Sequence, residues 1–168
     1  MTRTDLAIVG AGPAGMEAAA TARECGLSVL LIDEQPEPGG QIWRTIERNV
    51  SERPENLVFL GPDYAAGAER VGRFRACGSS YWPAAMVWHL VMHEDGSKTL
   101  LVAQNGITRQ VQARSVLLAS GAMERPVPIP GWTLPGVMTI GAAQTVLKSS
   151  GLYPQAPLVL AGSGPLLL

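Results

Sequence analysis

Apolar residues in this chain come in short blocks separated by glycine, proline and charged residues, and the period of the blocks changes along the sequence. Leu6-Ala-Ile-Val9 is a continuous apolar run, which reads as a parallel strand covered on both faces. It breaks at Gly10, Gly12 and Gly15, and the small residues that follow (Met16, Ala18, Ala19, Ala20, Ala22) predict a helix ended by Gly26. Val29-Leu-Leu-Ile32 predicts a second buried strand, closed by Asp33-Glu34. Gln35 to Arg44, with two prolines and paired glycines, predicts a loop. Ile42 to Asn49 can form a helical turn or two, and Ser51 to Asn56 reads as polar punctuation. From Asp63 to Ala76 the spacing of Ala66, Val71 and Phe74 predicts an amphipathic helix capped by Asp63 and stopped by Gly78, with Arg70, Arg73 and Arg75 on a solvated face.

Three alternating segments follow, Ala85 to Met92, Lys98 to Gln104 and Ile107 to Gln112, joined by Glu94-Asp-Gly-Ser97 and Asn105-Gly106. Both joints are strong hairpin signals, so these segments predict a three-stranded antiparallel meander. Ser115-Val-Leu-Leu118 reads as a further buried parallel strand running into Ala119-Ser-Gly121. Proline-rich residues to Gly131 exclude regular structure, and Ala142 to Ser150 is a helix stopped by Gly151. Leu158-Val-Leu-Ala161 leading into Gly162-x-Gly164 repeats the opening pattern. The predicted fold class is therefore α/β: a Rossmann-like domain with a parallel sheet plus a three-stranded antiparallel meander. Its expected extent is residues 1–152, with 153–168 a linker and the first strand of a second nucleotide-binding domain. A parallel strand needs neighbours to bury its faces, so the expectation is an N-terminal fragment of a longer protein, truncated at that second motif.

The glycines of the opening motif carry chemistry. Gly10 permits a tight turn, Gly12 lets backbone N–H groups approach a pyrophosphate, and Gly15 lets the helix pack close on the strand. The helix N-terminus adds a partial positive charge at the same place. A G-x-G-x-x-G pattern gains meaning from its context, and the context is complete: a strand before it, a helix after it, and an acidic strand end about 20 residues on, where Asp33 or Glu34 can accept hydrogen bonds from a ribose. Gly39 and Gly40 allow a backbone to lie flat against a ligand, and Gln41 offers both a donor and an acceptor.

Composition narrows the alternatives. The 168 residues are 46% hydrophobic and 16% charged with a net charge of −1, as in a globular α/β protein. No basic surplus points to nucleic acid. No apolar run approaches the roughly 18 residues of a membrane span, and the N-terminal residues do not resemble a signal peptide, so the expected location is the cytoplasm. The two cysteines, Cys25 and Cys77, form no C-x-x-C and read as buried or half-buried reduced thiols. His89 and His93 stand four apart on a strand with no third ligand in view, so no metal site is expected.

In this order, Gly10-Ala-Gly-Pro-Ala-Gly15, Asp33-Glu34, Gly39-Gly-Gln41, the meander, Ala119-Ser-Gly-Ala122 with Arg125-Pro126 and Ile129-Pro-Gly131, and Gly162-Ser-Gly164 resemble the two-dinucleotide-domain flavoprotein oxidoreductases related to thioredoxin and glutathione reductases. Within that group, Gly39-Gly-Gln-Ile-Trp-Arg44 and Pro130-Gly-Trp-Thr-Leu-Pro-Gly-Val-Met-Thr139 with Gly141-Ala-Ala-Gln144 are similar to the branch containing opine oxidase, hydrogen cyanide synthase and related amine or amino-acid dehydrogenase subunits.

The resemblance implies FAD at the first motif. Gly10, Gly12, Pro13, Ala14 and Gly15 would hold its pyrophosphate, and Asp33 or Glu34 its adenosine ribose. Gly40 and Gln41 would follow the cofactor toward its middle, the backbone of Val87 would meet adenine, and Ala119, Ser120 and Gly121 would approach the flavin side. Gly162 and Gly164 would begin a second site, for NAD(P), although Leu167 stands where its third glycine is expected. The cysteine pair of the family's disulfide reductases does not appear in these residues. The implied activity is oxidation of an amine, opine or amino-acid-derived small-molecule substrate by hydride transfer to FAD, and the implied partner is a second oxidoreductase subunit. The alternatives are an NAD(P)H-dependent flavoprotein reductase, or an inactive fragment with residual nucleotide binding. No residue is assigned as a catalytic acid or base.

Overall fold

The computed structural model describes residues 1–155 and 157–162, which gather into two compact units, Met1–Gly121 and Ala122–Leu168. The first unit begins with strand β1 (Thr2–Val9), helix α1 (Pro13–Glu24) and strand β2 (Val29–Ile32). The two strands are parallel, with Ala7 opposite Leu30, Ile8 opposite Leu31 and Val9 opposite Ile32. All four residues of β2 are buried, as an uninterrupted apolar run requires.

A helical stretch follows: α2 (Ile46–Glu52), α3 (Glu55–Leu60), α4 (Pro62–Ala65) and α5 (Gly67–Ala76). The single helix expected over 63–76 is thus two. Pro62 starts the first of them, with Gly61 at φ +85° as its cap, so Asp63 lies inside the first turn instead of capping it. Helix α3 replaces the end of the expected polar stretch, with Val58 and Phe59 exposed. Next comes β3 (Ser80–Trp82), which pairs in parallel with β2. Three residues carry too little periodicity to announce a strand, and the neighbouring β2 makes it one.

The meander appears where the alternation placed it, as β4 (Ala85–Met92), β5 (Lys98–Gln104) and β6 (Ile107–Leu118). Asn105 and Gly106 both take positive φ, the backbone of a tight two-residue hairpin. Strand β6 does not stop at Gln112. Its first half pairs antiparallel with β5 and its later part parallel with β1, so the separate strand expected from Ser115 is the continuation of the meander's last strand. The result is one mixed six-stranded sheet in the order β3-β2-β1-β6-β5-β4.

Strand periodicity sorts the core into two layers. Ile8 and Leu31 face the helices and pack with Met16, Ala19, Val71 and Phe74. Ala7, Leu30 and Ile32 face the other way, onto Leu100, Val102 and Val111 of the meander. The unit is therefore helices, parallel sheet and meander in three layers. The end of β6 departs from the expected burial: Leu117 is 39% and Leu118 67% exposed, because the helices of this unit lie over β1 and β2. Cys25 is also exposed, where α1 has ended, whereas Cys77 is half-buried with its thiol on the Ser79 hydroxyl.

Among the described residues the second unit holds one regular element, α6 (Ile140–Ser150). Thr139 caps it by accepting from the Ala142 N–H at 3.3 Å, Glu124 accepts from Gly141 N–H at 2.8 Å, and Gly151 ends it at φ +69°. Two negative or polar acceptors at a helix start satisfy orphan amides and complement the dipole. Residues 157–162 form no strand, since no segment among the described residues pairs with them, and Leu158, Val159 and Leu160 are exposed. Gly162 lies in this extended stretch, and Gly164 falls outside the described residues.

Candidate dinucleotide site

The glycine turn joins the carboxyl ends of three strands. Gly10 N–H donates to Ile32 O at 2.8 Å, and Ala119 N–H donates to Val9 O at 2.8 Å, so β1, β2 and β6 finish side by side. Gly10 adopts φ +108°, and a Cβ there would lie 2.7 Å from the Ala119 carbonyl carbon. A Cβ on Gly15 would lie 3.0 Å from the Gly10 carbonyl carbon, so the helix packs on its strand at backbone contact. Gly12 is the N-cap of α1, with no side chain capping the helix. A Cβ on Gly12 would meet only Gly40 Cα, at 3.9 Å. Open amides of a first helical turn, a positive dipole end and the missing Cβ together fit an anionic diphosphate.

The two acidic residues after β2 have different surroundings. Both Asp33 oxygens accept from backbone N–H groups, Oδ1 from Gln35 at 2.7 Å and Oδ2 from Ala11. This carboxylate therefore clamps the glycine turn to the end of β2. Glu34 is exposed, and its Oε1 accepts from Gln35 Nε2 at 3.4 Å.

The loop from Gln35 to Thr45 folds back over the glycine turn. Gly39 N–H donates to Ala11 O at 2.8 Å, and Gly40, at φ +61°, would place a Cβ 2.8 Å from Gly12 Cα. Four residues that sequence reasoning did not single out hold this loop. Trp43 Nε1 donates to Asp63 O at 3.1 Å, and its ring occupies the space a Gly67 Cβ would need, 2.9 Å from Trp43 Cβ. Buried Asn49 donates through Nδ2 to Tyr64 Oη at 2.6 Å, and Tyr64 in turn donates to Arg44 O at 2.7 Å. A tryptophan close behind a Gly-Gly pair and a glycine opening a helix were the available signals, but their meeting is tertiary. Gln41 is exposed, and its Oε1 accepts from Arg44 Nε at 3.1 Å and Nη2 at 3.0 Å.

Val87 is half-buried on β4 opposite Val102, just before an irregularity in the pairing between Val87 and His89. Ala84 N–H donates to Gln35 O at 3.0 Å and Ala85 N–H to Asp33 O at 2.8 Å, which brings the start of β4 to the acidic strand end. Ala119 is half-buried beside Gly10, while Ser120 and Gly121 are exposed, so the turn expected near the flavin side lies at the same carboxyl end of the sheet as the glycine turn.

The helix arginines are engaged with carboxylates: Arg70 and Arg73 with Glu17, Arg73 also with Glu24, and Arg75 with Glu47. The solvated face is thus a set of ion pairs tying α5 to α1 and α2. His89 stacks on Trp88 at 5.8 Å, and His93 Nε2 lies 2.8 Å from Thr99 Oγ1. Among the described residues no cluster of three His, Cys, Asp or Glu side chains could hold a metal ion. Tyr81, on β3, has a buried hydroxyl with no hydrogen-bond partner among the described residues, and burial followed by the Asp33 charge pushes its ionisation well above the ordinary tyrosine range.

Parallel strands whose carboxyl ends meet a glycine turn, with a helix N-terminus opening on that turn, define a Rossmann-like α/β domain within a mixed sheet. The pattern of the family described as "Pyridine nucleotide-disulphide oxidoreductase" matches residues 4–166, and the chain belongs to that family. It is 48% identical over 170 residues to an opine oxidase subunit of Agrobacterium tumefaciens (strain Ach5), a match covering 97% of this chain and 33% of that protein. It is 37% identical over 160 residues to the hydrogen cyanide synthase subunit HcnB of Pseudomonas protegens, covering 95% of this chain and 33% of that one. The chain thus spans about a third of the length of the curated relatives it matches. Among solved structures, L-proline dehydrogenase from P. horikoshii superposes with a TM-score of 0.70 at 23% identity, over 88% of this chain and 28% of that one, a likeness of fold. No helix among the described residues is long and apolar enough to cross a membrane.

Proposed function

We propose that this chain is the FAD-binding portion of a flavin-dependent oxidoreductase that oxidises an amine, opine or amino-acid-derived substrate. The observation that carries the reading is the backbone cradle of Gly10, Gly12 and Gly15, with Gly40 seated on Gly12 and the carboxylate of Asp33 holding the turn open. In it the first-turn N–H groups of Ala14 and Gly15, behind Pro13, which has none, would receive the pyrophosphate, exposed Glu34 would accept from the adenosine ribose beside clamped Asp33, and the Val87 backbone would border the base. Gln41 and the turn Ala119-Ser120-Gly121 lie along the way to the flavin. Bound FAD would supply the hydride-accepting chemistry, and the protein orients it. The substrate class rests on the opine oxidase relative, whose name gives opine as what that protein acts on.

In the same reading, residues 1–152 form the FAD domain and 153–168 open a second nucleotide domain, in which Gly162 and Gly164 begin an NAD(P) site. A further oxidoreductase subunit is the partner, in line with the names of the relatives, which are themselves subunits, and the complex works in the cytoplasm.

The test is the visible spectrum of the complete protein purified with FAD, followed by anaerobic addition of opines and L-proline. The expected result is bound flavin that bleaches with one of these amino acid derivatives. Absence of flavin would overturn the cofactor assignment, and flavin untouched by any amine or amino acid would overturn the substrate class.

A further inference from the structure

We infer that Arg44 is a cofactor-binding residue that supplies the cation for the diphosphate of the bound dinucleotide; this inference rests on the FAD reading above. The glycine turn, residues 10–15, contains no charged side chain, and residues 33–43 contain no lysine or arginine while carrying Asp33, Glu34 and Glu37. A diphosphate placed there is dianionic and meets only amides and the helix dipole. Arg44 is the first cation on the loop that covers this turn.

Its guanidinium is held in place by neutral acceptors. Nη1 donates to Gln35 Oε1 at 3.0 Å, and Nε and Nη2 converge on Gln41 Oε1. Gln35 follows the acidic end of β2, and Gln41 follows Gly40, whose backbone rests on Gly12. The guanidinium therefore bridges the two ends of the loop that flank the glycine turn. Three of its five N–H donors are used in this way, which leaves two for a ligand.

The contrast with neighbouring arginines is electrostatic. Arg48 pairs with Glu37, Arg70 and Arg73 with Glu17, and Arg75 with Glu47, so their charge is already compensated. Arg44 contacts no carboxylate among the described residues, and amide oxygens orient a guanidinium without neutralising it. A half-buried, pre-oriented and uncompensated guanidinium matches the forked geometry of phosphate oxygens. The amide struts spare it the ordering cost that a free surface arginine meets on binding.

The experiment is calorimetric titration of the complete apoprotein with ADP and with adenosine, for the natural chain and for Arg44→Met. The expected result is a loss of ADP affinity on the order of tenfold to a hundredfold, with adenosine affinity unchanged. It is accompanied by a shallower dependence of ADP binding on salt concentration. Equal ADP affinity in the two proteins would overturn the assignment. A matching loss for ADP and adenosine would overturn it too, showing Arg44 to be only a strut of the loop. Failure of the natural protein to bind either ADP or FAD would instead overturn the FAD reading itself. Should Arg44→Met fail to fold, Arg44→Gln, which can still bond an amide oxygen, gives the same comparison.

Discussion

Gly40 lies with its backbone against Gly12, so close that a methyl group on Gly40 would sit 2.8 Å from Gly12 Cα. Two loops distant in sequence thus meet glycine to glycine at the mouth of the candidate site, and the two positions tolerate change differently. Gly40→Ala is strained by its φ of +61° as well as by the collision, and is expected to cost about 1–3 kcal/mol of stability. Gly12→Ala meets only an atom at 3.9 Å and is expected to keep the fold, but its methyl group would lie where the proposed cofactor's diphosphate approaches. Thermal unfolding and FAD titration of both variants check this: Gly40→Ala should lower Tm, and Gly12→Ala should leave Tm in place while abolishing FAD binding.

Trp43 is the peg that holds the covering loop, and Gly67 is its socket. Gly67→Ala would drive a methyl group into the indole, at an expected cost of about 1–3 kcal/mol from overpacking. Trp43→Phe keeps a ring in the socket but loses the bond to the Asp63 carbonyl, for about 1 kcal/mol. Denaturant unfolding of the two variants should rank them in that order, and a neutral Gly67→Ala would show that the ring moves aside freely.

Asp33 and Glu34 separate by role. In Asp33→Asn one backbone N–H loses its carboxylate oxygen and faces an amide donor, so a loss of about 1–3 kcal/mol is expected together with weaker cofactor binding. Glu34→Gln touches only an exposed contact and should change stability by less than about 0.5 kcal/mol while still weakening adenosine recognition. The measurement is stability and ADP affinity side by side. Equal destabilisation by both substitutions would contradict the division.

Tyr81 buries a hydroxyl with no partner among the described residues, so Tyr81→Phe is expected to be neutral or stabilising. Its pH dependence has a definite sign. The folded tyrosine holds its proton above the ordinary value near about 10, whereas the unfolded one releases it there. Above that pH the native state binds more protons, and stability falls as pH rises toward the folded pKa. Tyr64 is shifted in the same direction by burial, so Tyr81→Phe should lose less stability than the natural chain in alkaline solution without becoming flat. Urea unfolding of the two proteins at neutral and alkaline pH gives the comparison.

Much of this fold was legible locally. The apolar runs at β1 and β2, the glycine turn between them and the Asn-Gly hairpin state their structure within a few residues, because strand burial, positive φ and helix entry are each imposed by neighbouring side chains and backbone. Where the reading fell short, the missing information was a partner. Strand β3 is a strand because β2 lies beside it, β6 continues past Gln112 because β1 takes over from β5, and the helix expected over 63–76 divides at Ala66.

The candidate site divides along the same line. The sequence by itself determined that a glycine turn stands between two parallel strands with an acidic residue after the second, since glycine spacing and strand length specify that geometry within one βαβ unit. Only the tertiary structure decided that Asp33 is spent on the turn and Glu34 is not, that Trp43 fills the place of a Gly67 side chain, and that Arg44 alone on the covering loop keeps an uncompensated charge. Each of these depends on which atoms occupy a few ångströms of space between segments far apart in the chain, and no periodicity of the sequence records that.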